Sequence, residues 1–114
     1  MVGHTGNIPA AIIACEVLDE CLGKIVREIL LQDGVCLITA DHGNVEEMLG
    51  PNGEMDTEHS TYPVPLMIIG NQFAGRSIVL PKGKLGDVAP TILTILGYPV
   101  PAVMTGNNLV VDLK

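Results

Sequence analysis

A long amphipathic helix followed at once by a short apolar strand is the feature that most constrains the fold of this chain. Between residues 11 and 29, apolar side chains recur at helical spacing, with charged residues on another face. Asn7 is placed to cap this helix and Asp33-Gly34 to end it. The run at residues 35–40 lacks polar alternation, which indicates a strand covered on both faces. This succession predicts an α/β fold.

Further elements follow along the chain. The apolar run at residues 66–70 comes after two prolines and predicts a second strand. A helix is predicted over residues 88–96, with Asp87 as its cap and Gly97 as its terminator. Shorter apolar runs indicate two more strands, at residues 77–80 and 109–111.

Length and charge limit what the chain can be. With 114 residues and 47% apolar content, residues 1–114 are expected to form a single domain with a core of moderate size. The net charge of -7 argues against nucleic acid and anionic membranes as partners. The sequence contains neither a run of about 18 apolar residues nor a basic start followed by an apolar core. We therefore expect a soluble, cytoplasmic protein.

The three cysteines fit the same compartment. An odd number argues against a disulfide framework and is typical of a reducing environment. None of them neighbours a histidine motif, so the sequence predicts that Cys15, Cys21 and Cys36 are ordinary buried thiols.

The three histidines are candidate metal ligands. His4, His42 and His59 stand in short segments beside small or acidic residues, and Asp41 directly precedes His42 at the predicted end of a strand. Each histidine taken alone is more often a surface or capping residue. An adjacent carboxylate and imidazole followed by glycine, however, suit a cation better than they suit packing. Nitrogen and carboxylate donors without a nearby thiolate favour Mn²⁺, Zn²⁺ or Mg²⁺ and exclude an iron-sulfur centre.

Four strings of the sequence carry a family resemblance. MVGHTGN, ITADHGNVEEM, HSTYPVP and DVAPTILTILGYPVPAVMTGNNL closely resemble the C-terminal part of the 2,3-bisphosphoglycerate-independent phosphoglycerate mutases, members of the alkaline phosphatase superfamily. The resemblance spans essentially the whole chain. It implies an α/β fold with part of an alkaline-phosphatase-like sheet and flanking helices.

The resemblance also implies a function for the candidate ligands. The family transfers a phosphoryl group between the 3- and 2-positions of glycerate through a phosphoserine, at a site with two metal ions, usually manganese. By position, Asp41 and His42 match ligands of the ion that also binds the serine. His4 and His59 match ligands of the second ion.

The departures from the family pattern are equally informative. The nucleophilic serine, further aspartate ligands and the residues that hold phosphoglycerate have no counterpart here, so no catalytic residue is assigned. The chain is expected to be an inactive segment of such a mutase. The alternative is a non-catalytic metal-binding or interaction module derived from the family. Unpaired strand edges left by the missing part predict self-association of the isolated chain.

Overall fold

The computed structural model describes residues 7–43 and 62–111, which fall in two compact units, Met1–Gly75 and Arg76–Lys114. The first unit contains one long helix and a two-stranded sheet, and the second contains a short helix and several turns. A small sheet accompanied by helices confirms the predicted α/β class. The prediction that residues 1–114 form one domain stays a prediction.

Helix α1 spans Ile8–Leu31, as the sequence predicted. The side chain of Asn7 accepts a hydrogen bond from the backbone N–H of Ala10 at 3.0 Å, which satisfies one of the free donors of the first turn. At the other end, Asp33 adopts the left-handed conformation with φ 56. The N–H of Asp33 then donates to Leu30 O and that of Gly34 to Ile29 O, which forms a Schellman motif.

Gly34 is required at this turn by space. A Cβ there would lie 2.9 Å from Cγ2 of Ile29 and 3.2 Å from its carbonyl oxygen. A second contact holds the same turn, because the side-chain amide of Asn71 donates to Leu30 O and to Asp33 Oδ1, both at 3.1 Å. The end of α1 is therefore fixed by a residue that follows the sheet.

Strands β1 (Val35–Thr39) and β2 (Leu66–Gly70) confirm the two main strand predictions. They pair antiparallel, with Val35 opposite Gly70 and Thr39 opposite Leu66. Helix α1 contacts β1. Most residues of both strands are only half-buried, so within the described ranges the sheet lacks the two covered faces that its apolar sequence predicted.

The second unit is organised by helix α2 (Val88–Ile95), which confirms the predicted helix apart from its last residue. A short 3₁₀ helix, Leu85–Asp87, leads directly into it. Gly97 has φ 77, and a second Schellman motif forms where Gly97 N–H donates to Thr94 O and Tyr98 N–H to Leu93 O. Gly97 therefore terminates the helix as the sequence indicated.

Asp87 is the centre of a buried polar network in this unit. Only 2% of Asp87 is exposed, and its carboxylate accepts hydrogen bonds from Lys84 Nζ at 2.7 Å and from the backbone N–H groups of Lys84 and Asn107 at 2.8 Å. The fully buried hydroxyl of Thr91 donates to Asp87 O and accepts from Leu109 N–H. Asp87 thus occupies the predicted cap position, but its side chain binds neighbouring loops instead of its own helix.

Three sequence predictions are wrong. Residues 77–80 form irregular chain, and residues 109–111 form a turn in which Leu109 N–H bonds to the Thr91 hydroxyl instead of to a strand. Cys15 and Cys21 are exposed on α1, while Cys36 is half-buried. The three errors have one cause: an apolar or β-branched stretch becomes a buried helix face or a strand only where a partner covers it.

The described residues bury few apolar side chains. Ala11, Leu109 and Val110 are the buried hydrophobic residues within these ranges. No helix in residues 7–43 or 62–111 is long and apolar enough to cross a membrane. Helix α1, by contrast, leaves large apolar side chains exposed: Ile12, Ile13, Val17, Leu18, Ile25 and Leu31.

Candidate metal centre

The Asp41-His42 pair follows strand β1 after one intervening residue, Ala40. Because β1 and β2 are antiparallel, this end of β1 lies beside the start of β2. The hydroxyl of Thr39, the last residue of β1, donates to the carbonyl oxygen of Pro65 at 2.9 Å. This hydrogen bond therefore links the segment that carries the pair to the segment that enters β2, at the edge of the sheet.

The ring of His42 is oriented by its own backbone. Its Nδ1 lies 2.9 Å from the carbonyl oxygen of Gly43, and a carbonyl only accepts hydrogen bonds. Nδ1 therefore carries the proton of this contact, and in the neutral ring Nε2 is the acceptor nitrogen. A backbone carbonyl that holds the second ring nitrogen is the usual support of a metal-binding histidine.

The two donor atoms are close enough to share an ion. His42 Nε2 lies 3.7 Å from Asp41 Oδ1, too far for a hydrogen bond between them. Two ligands with bonds of about 2.1 Å stand roughly 3.0 to 3.4 Å apart in octahedral or tetrahedral coordination. A side-chain shift of a few tenths of an ångström would suffice, and the Asp41 side chain is exposed. The donor set therefore fits a divalent cation.

The structure brings together two of the four predicted ligands. His4 and His59 lie outside the described residues, so their prediction as ligands stays a prediction. Among residues 7–43 and 62–111, no group of three or more histidine, cysteine, aspartate or glutamate side chains is arranged to hold a metal ion. Asp41 and His42 form an incomplete site in the described part of the chain.

Two supporting groups were missed by reasoning from the sequence. The Gly43 carbonyl sets the tautomer of His42, and the Thr39 hydroxyl links the two strands beside it. A backbone carbonyl leaves no mark in a sequence. Thr39 stands at the end of an apolar run, but its partner is 26 residues away and becomes visible only with the antiparallel register.

Comparison with known proteins decides the family. Residues 1–100 match the profile of the Metalloenzyme superfamily. The chain belongs to this superfamily. Membership makes a metal ion the expected cofactor and agrees with the resemblance read from the sequence motifs.

Individual relatives place the chain more closely. It is 53% identical over 109 residues to a 2,3-bisphosphoglycerate-independent phosphoglycerate mutase of Desulforudis audaxviator, covering 96% of this chain and 21% of that protein. A mutase of the same description from Lawsonia intracellularis is 53% identical over 110 residues, with the same coverage. This chain therefore spans about a fifth of the length of these curated relatives.

A solved structure supports the fold. A crystal structure of Leishmania mexicana phosphoglycerate mutase, determined at low cobalt concentration, matches this chain with a TM-score of 0.74 and 31% identity. The match covers 94% of this chain and 22% of that protein. The arrangement of elements described above thus occurs within a much longer polypeptide.

Proposed function

We propose that this chain supplies the C-terminal metal-binding part of a 2,3-bisphosphoglycerate-independent phosphoglycerate mutase, which interconverts 3-phosphoglycerate and 2-phosphoglycerate. The observation that carries the proposal is the Asp41-His42 pair at the end of β1, with His42 held in a metal-binding tautomer by Gly43. The identities of about half over nearly the whole chain support the reaction.

The four candidate ligands are assigned to two metal ions. Asp41 and His42 provide one oxygen and one nitrogen donor to a first ion, and His4 and His59 provide nitrogen donors to a second. A bound divalent ion in such a site lowers the pKa of a serine hydroxyl and stabilises charge that develops on a transferred phosphoryl group. The serine and the groups that hold phosphoglycerate belong to the part of the mutase outside this chain.

The proposal extends to the metal and the cellular setting. Manganese is the favoured ion because the mutase family that the sequence resembles usually uses it, and the imidazole and carboxylate donors also suit Zn²⁺ and Mg²⁺. Glycolysis, in the cytoplasm, is the setting of the proposed interconversion. Phosphoglycerate is the small-molecule partner of the complete enzyme, and the net charge of -7 disfavours nucleic acid and anionic membranes.

A segment exchange tests this function. The part of the Desulforudis audaxviator mutase that matches this chain is replaced by residues 1–114, and the purified chimera is assayed with 3-phosphoglycerate and Mn²⁺. We expect turnover within roughly 10-fold of the parent enzyme, because 53% identity over the segment preserves its packing and its ligands. The isolated chain is expected to show none, because the mechanism requires a covalent nucleophile.

The controls make this result specific. The parent mutase without its matching segment is expected to be inactive, and the chimera should lose turnover when a chelator removes the metal. An inactive chimera that folds like its parent would contradict the proposed function. Turnover by the isolated chain would contradict the assignment of the nucleophile to another part of the enzyme.

The isolated chain is further proposed to self-associate. Its exposed apolar residues on α1 and its small sheet leave surface that a second copy can cover. Light scattering is expected to give at least twice the mass of 12.0 kDa at high concentration. A stable monomer across the concentration range would contradict this expectation.

A further inference from the structure

One face of α1 carries a continuous exposed apolar stripe, formed by Ala14, Leu18, Cys21 and Ile25. These residues are spaced by four, three and four positions, which places them on one side of an α-helix. Leu18 is 64% exposed and Ile25 is 54% exposed, and Ala14 and Cys21 are exposed as well. The stripe lies next to the line of half-buried residues at Leu22 and Ile29.

A second face of α1 carries charged residues. Glu20 and Lys24 form an exposed ion pair of 3.1 Å there, and helical geometry places Ile13 on the same face. Ile13 is 61% exposed, so it matches Leu18 and Ile25 in apolar character and in exposure but differs from them in position. The stripe, by contrast, contains no charged residue. The stripe is therefore an uncharged apolar face of the helix, whereas Ile13 shares its face with charged residues.

The size of the matching proteins indicates what covers the stripe. The chain spans 21% of its curated relatives, and its fold recurs in a solved mutase of which it covers 22%. Single domains of this size ordinarily bury roughly two-thirds of the surface that the unfolded chain exposes. Among the described residues, however, the buried apolar side chains are those of Ala11, Pro90, Leu109 and Val110. The amount of polypeptide that the relatives possess beyond this segment is ample to provide the missing cover.

We propose that the stripe is the docking surface for the remaining part of a phosphoglycerate mutase chain, and that it binds this part even when the two are separate polypeptides. The inference rests on the proposed function. A second copy of this chain is the weaker occupant, and it covers the stripe only in the absence of the remainder. Bringing the two parts together then rebuilds one enzyme from two chains.

The test coexpresses this full chain with the Desulforudis audaxviator mutase from which the matching segment has been deleted, so that the two fold together. We expect a heteromeric complex on size exclusion, slower alkylation of Cys21 within it than in the free chain, and recovery of Mn²⁺-dependent turnover. An excess of the deleted mutase should also dissociate homo-oligomers of the free chain. Cys21 serves as a probe because it is exposed before docking.

Matched variants locate the contact. Leu18→Gln and Ile25→Gln should each weaken the complex by roughly 10-fold or more, as loss of a central apolar anchor does at protein interfaces. Ile13→Gln should change the affinity between the two chains by no more than about twofold, since Ile13 lies on a different face of the helix from the stripe. If all three variants weaken the complex equally, the stripe is not the docking surface.

The outcomes separate this inference from the proposed function. An active covalent chimera with no complex between the separate chains, and with equal stability of the Leu18→Gln, Ile25→Gln and Ile13→Gln chimeras, overturns the docking surface alone. Homo-oligomers that persist in excess remainder also overturn it. Where the deleted mutase is insoluble, the chimera decides: a lower melting temperature for Leu18→Gln and Ile25→Gln than for Ile13→Gln supports the docking surface.

Discussion

Replacing His42 by alanine is expected to lower the affinity of the chain for Mn²⁺ by roughly 100-fold, at the upper end of what loss of a supporting group costs at a metal site. The substitution removes the Nε2 donor that stands 3.7 Å from Asp41 Oδ1. The remaining carboxylate cannot hold the ion alone in water. Isothermal titration of the wild-type and variant chains with Mn²⁺ measures the difference directly.

A charge-matched pair controls this experiment. Asp41→Asn and Asp19→Asn remove the same charge, but Asp19 lies on the exposed surface of α1. Asp41→Asn should weaken Mn²⁺ binding strongly, whereas Asp19→Asn should leave it within about twofold, because the exposed Asp19 charge on α1 is screened by solvent and salt. Equal binding by the wild-type, His42→Ala and Asp41→Asn chains would show that the pair is not a ligand pair.

Replacing Asp87 by asparagine is expected to destabilise the second unit more than removing the charge of its partner Lys84 does. The carboxylate now accepts three hydrogen bonds, from Lys84 Nζ and from the backbone N–H groups of Lys84 and Asn107. In the variant, the side-chain amide would direct its own N–H group at one of these donors. Buried donors without an acceptor are costly. Chemical unfolding in urea, followed by circular dichroism, measures the loss.

The same network predicts a pH dependence. The hydrogen bond from Lys84 Nζ, together with those from the Asn107 and Lys84 backbone, lowers the pKa of Asp87 from 3.8 to about 2, against the opposing effect of burial. Because the folded pKa lies below the unfolded one, the ionised carboxylate stabilises the fold above pH 4. This contribution decreases as the pH falls from about 4 to 2.

Two comparisons isolate the contribution of Asp87. The difference in unfolding free energy between wild type and Asp87→Asn should shrink between pH 4 and pH 2, which cancels the titration of the other acidic groups. Lys84→Met should cost less than Asp87→Asn, since the lysine side chain is 61% exposed and both backbone donors keep their acceptor. A constant difference across this pH range would argue against the network as the source of stability.

Local signals predicted the helices and their ends well. Asn7, Gly34 and Gly97 act within a few residues of the backbone groups they satisfy or accommodate, so their effect is already present in the sequence. The two main strands were predicted for a similar reason, since each is a compact apolar run bounded by glycine or proline.

Long-range features could not be predicted in this way. The antiparallel pairing of β1 and β2 and the Thr39–Pro65 bond depend on how the chain returns to the sheet. Asp87 offered the signal of a helix cap, and its partner 20 residues away at Asn107 was not visible. The exposed Cys15 and Cys21 were predicted as buried because an apolar helix face indicates a partner without saying which chain provides it.

At the candidate metal centre, the residue types were predictable and their support was not. The adjacency of Asp41 and His42 can be read directly, and so can their position at the end of a strand. The tautomer set by the Gly43 carbonyl requires coordinates. The superfamily model establishes the family, and the likeness to phosphoglycerate mutases supports the proposed reaction, which ligand chemistry alone leaves open among metal-dependent enzymes.

The bond from Asn71 to the last turn of α1 also sets an order of events during translation. The helix forms within about a microsecond once its residues are free of the ribosome. Asn71 is synthesised 41 residues after Leu30, which at roughly 5 to 20 residues per second is a delay on the order of 2 to 8 s. For that interval the last turn of the nascent helix has its Schellman motif but lacks the hydrogen bonds from Asn71. Synthesis rate therefore determines when the first unit can close.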